Sequence, residues 1–275
     1  DVDSAIIFSD ILTVPFALGQ KVEFIEGQGP KLSKLNQKKT LSVSKQVFSK
    51  KLDPVYNAIA ITRKKLNKEK SLIAFIGAPW TLLVYMFGLR DNNKNTNTKT
   101  FYSAKKSINE ILDKLIEFLC VHIENQINAG ADVIQIFDSW AGILPENEIN
   151  YFCYEPNLKL VNFCKQKGIP NICFPKGIKK KFKDFNNRVK PDGINIDSEI
   201  NPSWAKDNLK DVVLQGGLEP KLLLSNEREM LEAASKYIHT FKEIPYVFNL
   251  GHGLLPETDP DRVDKLINFY RNFNG

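Results

Sequence analysis

Seven short runs of β-branched, aliphatic or aromatic residues recur along the chain, each closed by small or polar residues: Ser4 to Asp10, Leu72 to Ala78, Val133 to Ser139, Asn171 to Gly177, Gly193 to Ser198, Val212 to Leu218 and Tyr246 to His252. Runs of this length and composition predict strands. Between them the apolar positions change to helical spacing. Ile108, Ile111, Leu112, Leu115, Phe118, Leu119, Ile123 and Ile127 form an i, i+3, i+4 stripe that stops at Gly130, predicting a long amphipathic helix with a glycine stop. The stripe returns between Ser225 and Lys242, through Met230, Ala234, Tyr237, Ile238 and Phe241. Asp53-Pro54 predicts another helix start, with aspartate as cap and proline at the first helical position.

Strands that alternate with helices and are covered on both faces are parallel and joined by right-handed crossovers. That leaves an open doubly wound sheet or a closed barrel. Neither GxGxxG nor GxxxxGK[ST] follows any strand, whereas the strand ends carry varied functional groups: Asp10, Ser139, Lys176, Asp197, Gln215 and His252. Chemistry spread over many strand ends predicts an α/β fold of the TIM (β/α)8 type, whose site is assembled at the C-terminal face. A barrel needs about eight strands, and the first of the seven runs begins at Ser4, so the first strand and its loop are expected to be missing. No linker divides the chain, although Leu89 to Thr100 is a long polar segment containing Asn92, Asn93, Asn95 and Asn97. One barrel domain over residues 1–275, incomplete at its N-terminal end, is the expectation.

Composition narrows this further. At 275 residues and 43% hydrophobic the chain can bury a sizeable core. No apolar run reaches the roughly eighteen residues of a membrane span. The net charge of +6 is a weak signal, because lysines are strewn through Lys31 to Lys51, Arg63 to Lys70 and Lys176 to Lys183 as on a solvated surface, with Lys179-Lys180-Lys181 the one real cluster. Neither a nucleic-acid nor a membrane partner is expected. Cys120, Cys153, Cys164 and Cys173 show no CxxC spacing and read as buried thiols in a reducing compartment. The sequence opens on Asp1 with no leader-like segment, as a processed or partial chain would.

Several residues could carry chemistry. Asp10 ends an apolar strand, where a carboxylate must find donors or shift its pKa; a loop acceptor is the plain alternative. Tyr85 lies in a strand-to-helix segment opened by Pro79, and from the residues alone core packing is the favoured reading. Ser139 could serve a ligand or cap the next helix, as could its neighbour Asp138. His252 stands between Gly251 and Gly253, which leave the ring unobstructed and let backbone approach a ligand. His122 and His239 read as structural or solvated. No HExxH, nucleophile–base spacing or Cys/His cluster occurs, so no metal is expected.

Taken in order, Ala5-Ile6-Ile7-Phe8-Ser9-Asp10-Ile11-Leu12, Gly77-Ala78-Pro79-Trp80-Thr81, Phe137-Asp138-Ser139-Trp140-Ala141-Gly142, Leu214-Gln215-Gly216 and Gly251-His252-Gly253-Leu254-Leu255-Pro256 resemble the successive signature segments of the uroporphyrinogen decarboxylase family. The resemblance implies a TIM-barrel carboxy-lyase of haem and porphyrin biosynthesis, a cytoplasmic homodimer that converts the four acetate arms of uroporphyrinogen III to methyls without a cofactor. It further implies that Asp10 binds the pyrrole N–H groups, that Tyr85, Ser139 and His252 contact substrate, and that Phe137 lies against the macrocycle. Gly217 and Glu219 stand where the family often shows Asn and Asp. The family's arginine-rich loop of the form RQAGRYLP has no counterpart, and the six arginines present, Arg63, Arg90, Arg188, Arg228, Arg262 and Arg271, fall mostly away from strand ends. Weak substrate binding and little turnover are therefore expected. The alternatives are an impaired porphyrinogen-binding fragment and a zinc- or corrinoid-type methyltransferase on the same barrel.

Overall fold

The computed structural model describes residues 2–7, 10–25, 29–90 and 95–273. Seven parallel strands form one sheet: β1 (Ser4–Ile6), β4 (Ser71–Gly77), β5 (Val133–Asp138), β6 (Asn171–Pro175), β7 (Gly193–Ile196), β8 (Val213–Gly216) and β9 (Tyr246–Val247), each hydrogen-bonded to the next in chain order. A separate antiparallel hairpin, β2 (Val22–Ile25) with β3 (Gly29–Leu32), is inserted after β1. All seven predicted runs supply a strand. The first contributes only its opening residues, and Phe8 and Ser9 of that run lie outside the described residues.

Strictly sequential order distinguishes this sheet from a doubly wound one, in which strand order reverses at a switch point. The sheet is also strongly curled. Gln215 on β8 donates through Nε2 to Gln135 Oε1 on β5 at 3.2 Å, although two strands, β6 and β7, lie between them. In a flat sheet those backbones would stand roughly 14 Å apart. The seven strands expected are present and the sheet is open within the described residues: β1 and β9 are the two edges, and they do not pair with each other.

Helices cover the convex face. The predicted stripe becomes the Thr98–Asn128 helix, with Ile108, Ile111, Leu112, Leu115, Phe118, Leu119 and Ile123 buried. Gly130 follows it at φ +105°, a left-handed turn open to glycine. The Ser225 to Lys242 stripe becomes Glu227–Phe241, capped by Asn226. One expectation is corrected: Pro54 does not open a helix but lies inside the Lys45–Lys65 helix. Ser44 makes the true start by accepting the Val47 N–H. Proline costs an interior helix a hydrogen bond, a loss tolerated here because Phe48, Leu52 and Ile59 anchor that helix in the core. The stretch from Lys31 to Lys51, expected to be a solvated surface, is largely helical, with most of its lysines exposed.

Arg63 clamps helix to sheet, donating to Asp132 Oδ2 at 2.6 Å and to the carbonyls of Leu66, Asn67 and Lys70. Asp132 in turn accepts the Leu72 N–H. No helix among the described residues is long and apolar enough to cross a membrane.

His122 is fully buried and pairs its Nδ1 with the Tyr56 hydroxyl at 3.0 Å. Burial pushes its pKa down to about 3, while an unfolded histidine titrates near 6.5. Between these values the unfolded chain binds the extra proton, so His122's contribution is complete above about pH 6.5 and is lost as pH falls toward 3. In urea unfolding between pH 7 and 4.5, His122→Phe should lose less stability than the unaltered chain, by up to about 1.4 kcal/mol per pH unit. Parallel pH profiles would contradict this.

Candidate active site

A cleft of about 620 Å3 occupies the concave side of the sheet and reaches both edges, touching Ile6 of β1 and Tyr246 of β9. Its floor is a chain of buried amides. Gln215 Nε2 donates to Asn195 Oδ1 at 2.7 Å as well as to Gln135, and Asn195 Nδ2 donates to the Ile196 carbonyl. Asn195 and Gln215 are directly paired on β7 and β8, so their side chains emerge on one face. A side chain at Gly216 would come within 2.8 Å of the Asn195 amide. Only glycine lets the ladder close there, and its φ of +79° also suits glycine.

Phe137, Ser139 and His252 all line this cleft. Phe137 is held edge-on between Phe75 and Phe174, with ring centroids 5.6 and 6.3 Å away. Ser139 follows β5, and the residues around it fix its backbone. Asp138 is 1% exposed and faces the first turn of the Pro79–Phe87 helix. Its Oδ1 accepts the Thr81 hydroxyl at 2.7 Å and its Oδ2 accepts Asn157 Nδ2 at 3.2 Å. Thr81 Oγ1 then accepts the Trp140 N–H at 3.1 Å, and the Trp140 carbonyl accepts Trp80 Nε1–H at 2.8 Å. Burial, partly offset by the Thr81, Cys153 and Asn157 hydrogen bonds, raises the Asp138 pKa to about 6. The carboxylate thus locks the peptide that presents Ser139.

His252 reaches the mouth from the loop after β9. The Gly253 N–H donates to its Nδ1 at 2.7 Å, which places the ring proton on Nε2 and leaves that atom as a donor. Partial desolvation and then the nearby Lys176 charge lower its pKa, favouring the neutral ring. Gly251 is held against β7, where a side chain would meet the Ser198 nitrogen at 2.6 Å.

Two predicted residues are not among those lining the cleft. Tyr85 lines a neighbouring groove beyond Trp140, the two rings meeting edge-on at 6.3 Å. Asp10 follows β1 at φ 59°, and its Oδ1 accepts the Leu12 N–H at 2.8 Å. The Asp10 carbonyl accepts both the N–H and the hydroxyl of Thr13. A non-glycine residue in that conformation is strained, and this local turn holds one carboxylate oxygen, Oδ1, against its own loop. Of Asp10, Tyr85, Ser139 and His252, the described structure brings Ser139 and His252 together in the lining of this cleft. Sequence reasoning passed over Gln135, Asn195 and Thr81. Polar residues inside runs otherwise apolar were the available signal.

The chain matches the model of the uroporphyrinogen decarboxylase (URO-D) family over residues 1–273. It is 39% identical over 274 residues to the uroporphyrinogen decarboxylase of Rickettsia bellii, covering 98% of this chain and 81% of that protein. Identity is 39% to the Orientia tsutsugamushi (strain Ikeda) enzyme, covering 100% and 81%, and 36% to that of Wolbachia pipientis wMel, covering 99% and 80%. Among solved structures, a methyltransferase from Methanosarcina mazei superposes with a TM-score of 0.80 at 16% identity, over 99% of this chain and 81% of that one. A B12-independent methionine synthase from Shewanella gives 0.51 at 12% identity, over 92% and 74%. At these identities the structural matches speak of fold alone.

Thr81→Val keeps the side-chain shape but removes the hydroxyl donor to the buried Asp138 carboxylate and the acceptor of the Trp140 N–H. It should cost about 1–3 kcal/mol in chemical unfolding, whereas Thr81→Ser should retain most of the stability. Equal stability of the valine variant and the unaltered chain would refute the locking role.

Proposed function

The chain belongs to the uroporphyrinogen decarboxylase family, and from that premise we propose that it converts the four acetate arms of uroporphyrinogen III to methyls, giving coproporphyrinogen III and carbon dioxide. It is a carboxy-lyase. The observation that carries this reading is the 39% identity spread over 98% of the chain. Haem biosynthesis as the pathway, the cytoplasm as the site of action and a homodimer as the working form are part of the same proposal.

The substrate can serve as its own electron sink. A proton added to the pyrrole carbon beside an acetate arm makes that ring cationic; the bond from the arm's methylene to its carboxylate then breaks, and the electron pair flows into the ring as carbon dioxide leaves. Reprotonation of the exocyclic carbon and loss of the ring proton restore the pyrrole. Each arm has then exchanged carbon dioxide for a proton.

Asp10 is the proposed acceptor of the pyrrole N–H groups and the stabiliser of the ring cation. With Oδ1 occupied by Leu12, Oδ2 has no partner among the described residues, and a carboxylate accepts several donors at once. The backbone strain at Asp10 supports a functional reason for holding it there. His252 and Ser139 offer neutral donors to the carboxylate arms, Phe137 offers a ring face to the macrocycle, and Tyr85 packs behind Trp140 at the substrate's margin.

We further propose that the seven strands are those of an eight-stranded barrel, with the place of the remaining strand between β9 and β1. The two edges flanking the cleft support that placement. A second reading, a binder that turns over little, has support in the cleft's charge, because Arg271 there is engaged with Asp3. The methyltransferase reading rests on fold likeness at 16% identity and has no other support.

Carbon dioxide release from uroporphyrinogen III distinguishes these readings. The chain should be slow alone and faster when joined to the first-strand segment of a family relative. In the joined form Asp10→Asn should lower turnover by about 100-fold or more, the scale on which a preorganised electrostatic group acts. Unchanged turnover in the asparagine variant would remove Asp10 from this role.

A further inference from the structure

The cleft and the substrate are mismatched in charge. Among the described residues lining the cleft, Asp3 and Arg271 are the only Asp, Glu, Lys or Arg, and these pair with each other. Resting on the reading above, the ligand is a polycarboxylate, so its charge must be met somewhere else.

A groove of about 900 Å3 adjoins the cleft, between the β2–β3 hairpin and the Pro79–Phe87 helix. Lys31, Lys34 and Arg90 line it, and among the described residues no aspartate or glutamate does. Two acids on the neighbouring elements are engaged with other residues. Glu23, across the hairpin from Lys31, is salt-bridged to Lys21 at 2.8 Å, and Glu110 accepts a hydrogen bond from Gln37. Arg90 is the residue that ties groove to cleft. Its guanidinium carbon sits 4.3 Å from the centre of the Trp140 ring, and Trp140 directly follows Ser139. Stacking holds the guanidinium plane without using its N–H donors, which stay available for bidentate pairing with a carboxylate. Sequence alone placed Arg90 away from strand ends; the fold brings it to the second residue after one.

We propose that this groove is a carboxylate subsite, in which Arg90, stacked on Trp140 and assisted by Lys31 and Lys34, takes peripheral carboxylates of a tetrapyrrole whose ring occupies the cleft. The division is between a nearly uncharged cleft that orients by hydrogen bonds and a cationic groove that supplies charge.

The test measures binding by quenching of tryptophan fluorescence with two probes: uroporphyrin, the oxidised octacarboxylate, and benzenehexacarboxylate, which has no tetrapyrrole. Arg90→Gln should weaken both by about tenfold, the worth of one charge-assisted pair, and should flatten the salt dependence. Arg90→Lys should recover part of the loss. Arg228→Gln, remote and paired with Glu232, should change neither. If the unaltered chain binds uroporphyrin and Arg90→Gln matches Arg228→Gln, the subsite is wrong and the proposed function stands. Arg90-dependent binding of benzenehexacarboxylate without any binding of uroporphyrin supports the subsite and counts against the function. Binding of neither probe overturns the subsite.

Discussion

A parallel sheet covered by helices and curled on itself has a concave face that water reaches poorly, and any polar side chain pointing there must find a partner inside. Gln135, Gln215 and Asn195 meet that demand by bonding one another across three strands. Their ladder fixes how far β5 and β8 can separate, and so it sets the width of the cleft. Glycine at 216 is required for the same closure, because any side chain there would strike the Asn195 amide. Buried amides left unpaired would cost on the order of 1–3 kcal/mol each, so the ladder holds the curl as a unit or not at all.

The mouth of the cleft is built outward from that floor. Asp138, the last residue of β5, is turned inward and ties the Pro79–Phe87 helix to the loop carrying Ser139 through Thr81. One buried carboxylate therefore places both a hydroxyl at the cleft and the indole on which Arg90 rests. The loop after β9 is set by contact of Gly251 with the end of β7, and a backbone N–H selects the tautomer of His252. These groups are held by packing and by hydrogen bonds to the main chain, which suits a substrate that carries its own electron sink. What such a protein must supply is position and charge.

Much of this was legible in the chain. Strands covered on both faces leave continuous apolar runs, and all seven were readable for that reason. The long helix was readable because its buried stripe ends at a glycine with positive φ. Pro54 misled because a local rule about proline ignores how firmly Phe48, Leu52 and Ile59 fasten that helix. Among the site residues, Ser139 and His252 were visible as polar groups at strand ends, and they share the cleft. Asp10 was equally visible, yet its turn directs the carboxylate toward Leu12, a matter of dihedral angles that no spacing reveals. The stacking of Arg90 on Trp140 joins residues fifty positions apart and leaves no local pattern in sequence.

A crystal structure of the chain with uroporphyrin bound would test the central claim most directly, because it locates ring and carboxylates independently of turnover. The account predicts a macrocycle lying against Phe137, pyrrole nitrogens facing Asp10, and at least one carboxylate paired with Arg90 beyond Trp140. A macrocycle bound outside the cleft, or one seated in it with every carboxylate turned away from that groove, would contradict it.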